Sequence, residues 1–107
     1  MKYPKTPDGR YFVVKGRLWR CTNPDLDEQT RQQYVNTLMK ARNLVKKAKR
    51  QEDPAALSAA RAQVNQAKIG LGERGPVWWT DNAPDYNRYL AKNTPYADWF
   101  SSLNSLL

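Results

Sequence analysis

The sequence contains no histidine and only one cysteine. Imidazole and thiolate groups supply the usual zinc sites and the Ser-His-Asp and Cys-His catalytic arrangements, so these classes are excluded. A phosphate-binding loop is also missing, because the glycine cluster at residues 70–75 lacks the Gly-Lys-Ser/Thr ending and follows a helical pattern instead of a strand. We therefore expect a protein that is not an enzyme and has no cofactor or metal site.

Long apolar runs are absent as well. No stretch of about 18 apolar residues occurs, and no apolar signal region follows Met1. Cys21 has no second cysteine in the sequence with which to form a disulfide, and it is expected to be a buried, inert thiol. The length of 107 residues is typical of one domain. We predict a soluble cytoplasmic protein, without a membrane segment, in which residues 1–107 form a single domain.

Two short runs of aromatic and β-branched residues surround Lys15 and Gly16 in "RYFVVKGRLWRC" and predict a β-hairpin over residues 10–21. A two-residue turn would place Phe12 opposite Trp19, whereas a type I turn with a left-handed Gly16 would place Tyr11 there. Lysine tolerates a positive φ poorly, which favours the second register.

Apolar residues at alternating steps of three and four predict a helix over residues 26–51 and another over residues 54–71. Asp25 with Glu28 resembles a capping box for the first, and Asp53 followed by Pro54 suits the start of the second. Gly70 and Gly72 are expected to end it. The short connection between the helices predicts an antiparallel helical hairpin.

The C-terminal third combines an irregular or short helical segment over residues 75–93 with a predicted helix over residues 95–106. Pro84 and Asp85 look like the start of a short helix. The predicted fold is therefore α+β and mostly helical. It consists of an N-terminal β-hairpin packed on the helical hairpin, an irregular tryptophan-rich segment and C-terminal helices.

Positive charge is the strongest functional indication. The formal net charge is +8, and between Arg31 and Arg50 there are seven basic residues and no acidic one. Such a field favours nucleic acid or an acidic protein surface. Aromatic and basic residues also alternate in the hairpin, which suits single strands. The candidate nucleic-acid contacts are Arg17, Arg20, Lys40, Arg42, Lys46, Lys47, Lys49 and Arg50. Solubility and compensation of the helix dipole would also explain lysines near a helix end.

An aromatic interaction surface is the alternative hypothesis. Trp78 and Trp79 are adjacent, and neighbouring residues of an extended chain point to opposite sides, so one is expected to anchor the loop. The other could form a partner-binding or self-assembly surface with Tyr86 and Arg88. A carboxylate pair at Asp81 and Asp85 could in principle support acid-base work, but such residues at a helix start are usually caps.

Three phrases, "DGRYFVVKGRLWRCTNP", "GERGPVWWTDNAPDYNRY" and "KNTPYADWF", are distinctive. In them the chain resembles, over nearly its whole length, a family of small bacterial proteins of uncharacterised function. Some members carry the name biopolymer transporter Tol. The resemblance implies no catalytic residues, because the family supplies none to carry over to this sequence.

Overall fold

The structure is a computed structural model that describes residues 3–105. The chain divides into two compact units. The helical unit is Thr22–Trp78, and the sheet unit combines the described residues up to Cys21 with those from Trp79 onward. By sequence, residues 1–21 with 79–107 have eight basic and four acidic residues and residues 22–78 have ten and six, so each part carries a net charge of +4. The assignment of residues 1–107 to one domain stays a prediction.

The helical unit is built from α1, Glu28–Arg50, and α2, Pro54–Leu71, which pack as the predicted hairpin. The expected capping residue of α1 was wrong: Asp27, not Asp25, is the N-cap, and its carboxylate accepts from the Thr30 amide at 2.7 Å. Asp25 lies before the helix, and its backbone amide donates a hydrogen bond to Asn23 Oδ1. The second prediction is confirmed, since Asp53 caps α2 ahead of Pro54.

Small and branched residues form the contact between α1 and α2. Leu38, Ala67 and Leu71 make a buried cluster, and alanines at positions 41, 48 and 60 are buried along the same seam. Gly72 adopts a left-handed φ of 83° and ends α2, as predicted. Gly70, by contrast, lies inside the helix, where the ring of Tyr34 covers its α-carbon.

The sheet unit begins with β1, Tyr11–Val14, and β2, Arg17–Arg20, which pair antiparallel. Phe12 lies opposite Trp19, so the register favoured from the sequence was wrong and the two-residue turn is correct. Lys15 and Gly16 both have positive φ, at 51° and 79°. A turn of this kind follows the right-handed twist of the strands, and this match outweighs the cost of a left-handed lysine.

Both edges of the hairpin are covered by further backbone. Lys5 bridges Phe12 beside β1, and Leu90 bridges Arg17 beside β2. A two-stranded ribbon alone is marginal in water, so these flanking segments contribute to its stability. One face of the hairpin is fully buried, and its side chains are those of Tyr11, Val13, Leu18 and Arg20.

The predicted helical turn at Pro84 is absent from the described chain, which instead forms an irregular loop, a 3-10 turn at Ala91–Asn93 and the helix α3, Ala97–Ser105. The cause is competition for backbone groups, because Arg88 donates its amide to Leu18 and Tyr89 accepts from Leu18. These bonds with β2 use backbone groups that a helix would pair internally, and Tyr89 closes a turn by donating its amide to the Tyr86 carbonyl. The last residue of the predicted helix over residues 95–106 lies outside the described residues.

Candidate nucleic-acid interface

A basic groove runs along one side of the helical hairpin. Its volume is about 500 Å³, and its apolar lining is Val45 of α1 and Val64 of α2, both half-buried. Five cationic side chains surround the valines. They are Arg42, Lys46 and Lys49 of α1, Arg61 of α2 and Arg74 beyond the helix end. We call these seven residues the basic groove.

The charges of the basic groove are not neutralised by carboxylates within residues 3–105. Ion pairs there involve Arg10, Arg20 and Arg31, and none includes a cation of the groove. Arg74 donates to a neutral partner, Asn65 Oδ1, at 3.2 Å. Because the lining contains no acidic residue, the five positive charges reinforce one another and favour a polyanionic ligand.

The opposite side of the helical hairpin differs in charge. A second groove of about 280 Å³ is lined by alanines and by Leu44, Gln51 and Gln63, with Lys47 as its single cation. The two grooves therefore differ in their linings, which contain five cations in one and a single cation in the other. Cations that served only solubility would be spread evenly over the helices and would not concentrate in one groove.

The predicted contacts on α1 are all exposed, but only some of them meet. Arg42, Lys46 and Lys49 line the basic groove, Lys47 lines the opposite groove, and Lys40 and Arg50 lie outside both. Sequence reasoning missed Arg61 and Arg74. Arg61 could have been predicted, because antiparallel pairing places α2 beside the cations of α1. Arg74 follows the end of α2, and the helical spacing of the sequence gives no indication of it.

The two predicted contacts in the hairpin have unlike environments. Arg20 is only 2% exposed, and its Nη1 lies 3.1 Å from the carboxylate of Asp85. An arginine so buried cannot neutralise a phosphate, and we do not include it in the interface. Arg17 is exposed, and its Nη1 donates to the carbonyl of Arg88 at 2.8 Å.

The two tryptophans belong to different units. Trp79 is 8% exposed in the sheet unit, where its Nε1 donates to the Ala83 carbonyl and its ring packs edge-on against Tyr11. Trp78 is half-buried in the helical unit, close to Gly72. Trp79 is thus the structural anchor, and a role of Trp78 in binding a partner stays a prediction.

The remaining candidates of the aromatic surface are drawn into contacts within the sheet unit. Tyr86 is half-buried and lies edge-on to Tyr89 and Tyr96. Arg88 is exposed with a φ of 73°, and its guanidinium lies 5.9 Å from the centroid of the Trp19 ring. The structure therefore brings Arg88 to the hairpin.

The carboxylates at positions 81 and 85 hold the loop to the hairpin through ion pairs. Asp81 pairs with Arg10, whose guanidinium also lies 4.8 Å from the centroid of the Trp79 ring. The hydrogen bond from Arg10 holds the pKa of Asp81 below its usual value. Asp85 pairs with Arg20 and accepts from the Asn87 amide.

Two tyrosines of this network are unusually weak acids. Burial raises the pKa of Tyr11 to about 12, and its hydroxyl accepts a hydrogen bond from the Tyr86 amide at 2.8 Å. Burial, with a hydrogen bond donated to Asp8, also raises the pKa of Tyr96. Burial opposes ionisation of Asp8, but hydrogen bonds from Tyr96 and Thr6 outweigh it and lower the pKa of that carboxyl.

Comparison with protein-family models, with curated proteins and with solved structures finds no match. The resemblance to a small bacterial family therefore stays a prediction. No helix within the described residues is both long and apolar enough to cross a membrane. The described part of the chain also holds no cluster of three or more His, Cys, Asp or Glu side chains suited to a metal ion.

Proposed function

We propose that this protein binds nucleic acid through the basic groove, with little preference for sequence. The observation that carries the proposal is the convergence of five cations on one side of the helical hairpin, without a carboxylate among the lining residues. Phosphate contacts of this kind supply affinity and position but no base readout. We place the activity in the cytoplasm, in a protein that performs no chemistry on its ligand.

The spacing of the cations suits a phosphate backbone. Arg42, Lys46 and Lys49 follow one another at steps of four and three residues along α1. At 1.5 Å of rise per residue they extend over about 10 Å, roughly three times the 3.4 Å spacing of charges of one strand along the DNA axis. Arg61 and Arg74 widen the positive surface across the groove.

The salt dependence of binding tests the proposal. If about five phosphates are neutralised, log affinity should fall against log salt with a slope near −4.5 for duplex DNA or near −3.5 for single strands. Raising the salt from 50 to 200 mM should then weaken duplex binding roughly 500-fold. Fluorescence anisotropy with labelled oligonucleotides measures both. Absence of binding at tens of micromolar protein in low salt would remove the proposal.

Two matched double variants on α1 test whether nucleic acid binds at the basic groove. Arg42→Glu with Lys49→Glu reverses two charges in the groove, while Lys40→Glu with Lys47→Glu reverses two exposed charges outside it. Each pair is seven residues apart, and the pairs lie about 160° apart around the axis. The net charge is the same in both variants.

The groove pair should weaken binding at least tenfold and flatten the salt slope by about two, whereas the control pair should leave both nearly unchanged. Equal losses would mean that net charge alone attracts the ligand. If neither variant changes binding, the cations are only a solvated helix face. If the groove variant instead lost binding to an acidic protein while nucleic acid did not bind, the acidic partner surface would be the better function.

A further inference from the structure

The outer face of the β-hairpin is a second surface, and it combines aromatic rings with cations. Phe12 and Trp19 lie directly opposite one another and are half-buried, in contrast to the fully buried inner face. The ring of Tyr3 stacks on that of Phe12 with centroids 6.1 Å apart. Arg88 lies over Trp19 at 5.9 Å. We call these four residues, together with Lys5 and Arg17, the outer sheet face.

Lys5 and Arg17 belong to this face because of strand register. Lys5 bridges Phe12, and residues directly opposite in an antiparallel pair project to the same side. Arg17 lies two residues before Trp19 on β2, and side chains alternate along a strand. Three aromatic rings and three cations thus share one side of a small sheet.

The carboxylates of the sheet unit do not neutralise these cations. Asp81 pairs with Arg10, and Asp85 pairs with the buried Arg20. Within residues 3–105 no carboxylate lies in ion-pair distance of Lys5, Arg17 or Arg88. The fold therefore pairs Arg10 and Arg20 with carboxylates and leaves Arg17 and Arg88, on the outer sheet face, outside ion-pair distance of one within residues 3–105.

We propose that the outer sheet face stacks unpaired nucleobases, with Phe12, Trp19 and Tyr3 as the platform and Arg17, Arg88 and Lys5 holding the phosphates. The ligand of this protein is then single-stranded nucleic acid. This inference rests on the proposed function for its ligand class and uses none of the residues of the basic groove.

The chemistry of the face fits a single strand better than a duplex. Bases in a duplex are stacked on each other and cannot lie against a ring, whereas unpaired bases offer a π-face whatever their sequence. Tyr3 is 49% exposed, so the platform has an accessible edge where a strand can begin to stack. Guanidinium groups add cation-π contact and pair with phosphate.

The experiment compares a labelled oligo(dT) with a duplex of equal length, by anisotropy at low salt. Trp19→Ala should weaken oligo(dT) binding on the order of tenfold and leave duplex binding within twofold. Trp19→Phe keeps a ring and should recover most of the loss. Tyr3→Ala changes an exposed side chain that can be removed without unfolding, and should weaken oligo(dT) binding several-fold. Circular dichroism confirms that each variant is folded.

The outcomes separate this inference from the proposed function. Loss of oligo(dT) binding in Trp19→Ala and Tyr3→Ala, with recovery in Trp19→Phe, supports the platform. This holds even if the groove variant binds nucleic acid as well as the unaltered protein does. Equal effects on duplex and single strand, or unchanged binding in Tyr3→Ala and Trp19→Ala, overturn the platform while the basic groove can still stand. If oligo(dT) does not bind the unaltered protein, the platform is wrong.

Discussion

Gly70→Ala is the sharpest test of packing in the helical unit, because two effects on stability have opposite sign. Gly70 lies inside α2, where alanine is favoured over glycine by ~1 kcal/mol. A methyl group at this position would lie 2.7 Å from Tyr34 Cδ1 and closer still to two other ring atoms. Carbon atoms normally approach to about 3.5–4.0 Å, so the ring would have to move by about 1 Å or more.

The steric effect should outweigh helix propensity. Overpacking of this kind costs roughly 1–3 kcal/mol, and displacing Tyr34 also exposes neighbours of the Leu38 cluster against which it packs. Subtracting the propensity gain of ~1 kcal/mol leaves a net loss of up to about 2 kcal/mol in the free energy of unfolding. In a Tyr34→Ala background the clash is gone, and the same change should stabilise the protein by up to ~1 kcal/mol.

Urea unfolding of the four proteins of this double-mutant cycle measures the effect. The account predicts a coupling energy of roughly 1–3 kcal/mol between the two positions. Stabilisation by Gly70→Ala in the unaltered sequence would refute the reasoning, because it would mean that the Tyr34 ring does not lie on Gly70. Identical effects in both backgrounds would refute it equally.

The sheet unit yields three further predictions. Arg20→Ala should lower the free energy of unfolding by about 2–3 kcal/mol, because it removes a fully buried side chain while the Asp85 carboxylate that it leaves is 40% exposed, and exposed Arg17→Ala should cost under ~0.5 kcal/mol in the same urea titration. The raised pKa of Tyr11 means that its contribution is complete below pH 10 and is lost towards pH 12, so unfolding titrations should show a steeper alkaline decline in the unaltered protein than in Tyr11→Phe. Because hydrogen bonds lower the pKa of Asp8, its contribution should be lost as the pH falls below about 4, and Asp8→Asn should flatten that acidic decline.

Helix existence and pairing could be predicted because they follow from short-range chemistry. The apolar stripe through Leu38 and Ala41 recurs with helical period, and Asp53 before Pro54 is a local start signal. These patterns do not depend on distant residues. The capping error was of two residues only, since Asp25 and Asp27 are equally suitable in sequence, and in the structure the Asp25 amide is hydrogen-bonded to Asn23 while Asp27 caps the helix.

The errors arose where distant segments compete for the same groups. The hairpin register depends on strand twist, which overrides the reluctance of Lys15 to adopt a positive φ. The segment after Pro84 does not form a helix because its backbone bonds to β2, about 70 residues away in sequence. Strand alternation places Arg20 and Arg17 on opposite faces of β2, but the sequence of the strand does not say which face is buried, and Arg20 lies on the buried one.

The candidate site was predicted in outline and refined by the fold. A count of charge on α1 located the basic segment but treated all its cations alike. The pairing of α2 with α1 selects Arg42, Lys46 and Lys49, and adds Arg61. Charge density is therefore readable from a single helix, whereas the side on which it concentrates depends on the partner helix.

Chemical protection of individual lysines tests the central claim most directly. The protein is treated with an amine-reactive acetylating reagent with and without saturating oligonucleotide, and each lysine is followed by mass spectrometry. Lys46 and Lys49 line the basic groove, and Lys40 and Lys47 are equally exposed elsewhere on α1. The account predicts that nucleic acid protects Lys46 and Lys49 and leaves Lys40 and Lys47 reactive. Uniform protection of all four, or protection of Lys40 and Lys47 alone, would contradict it.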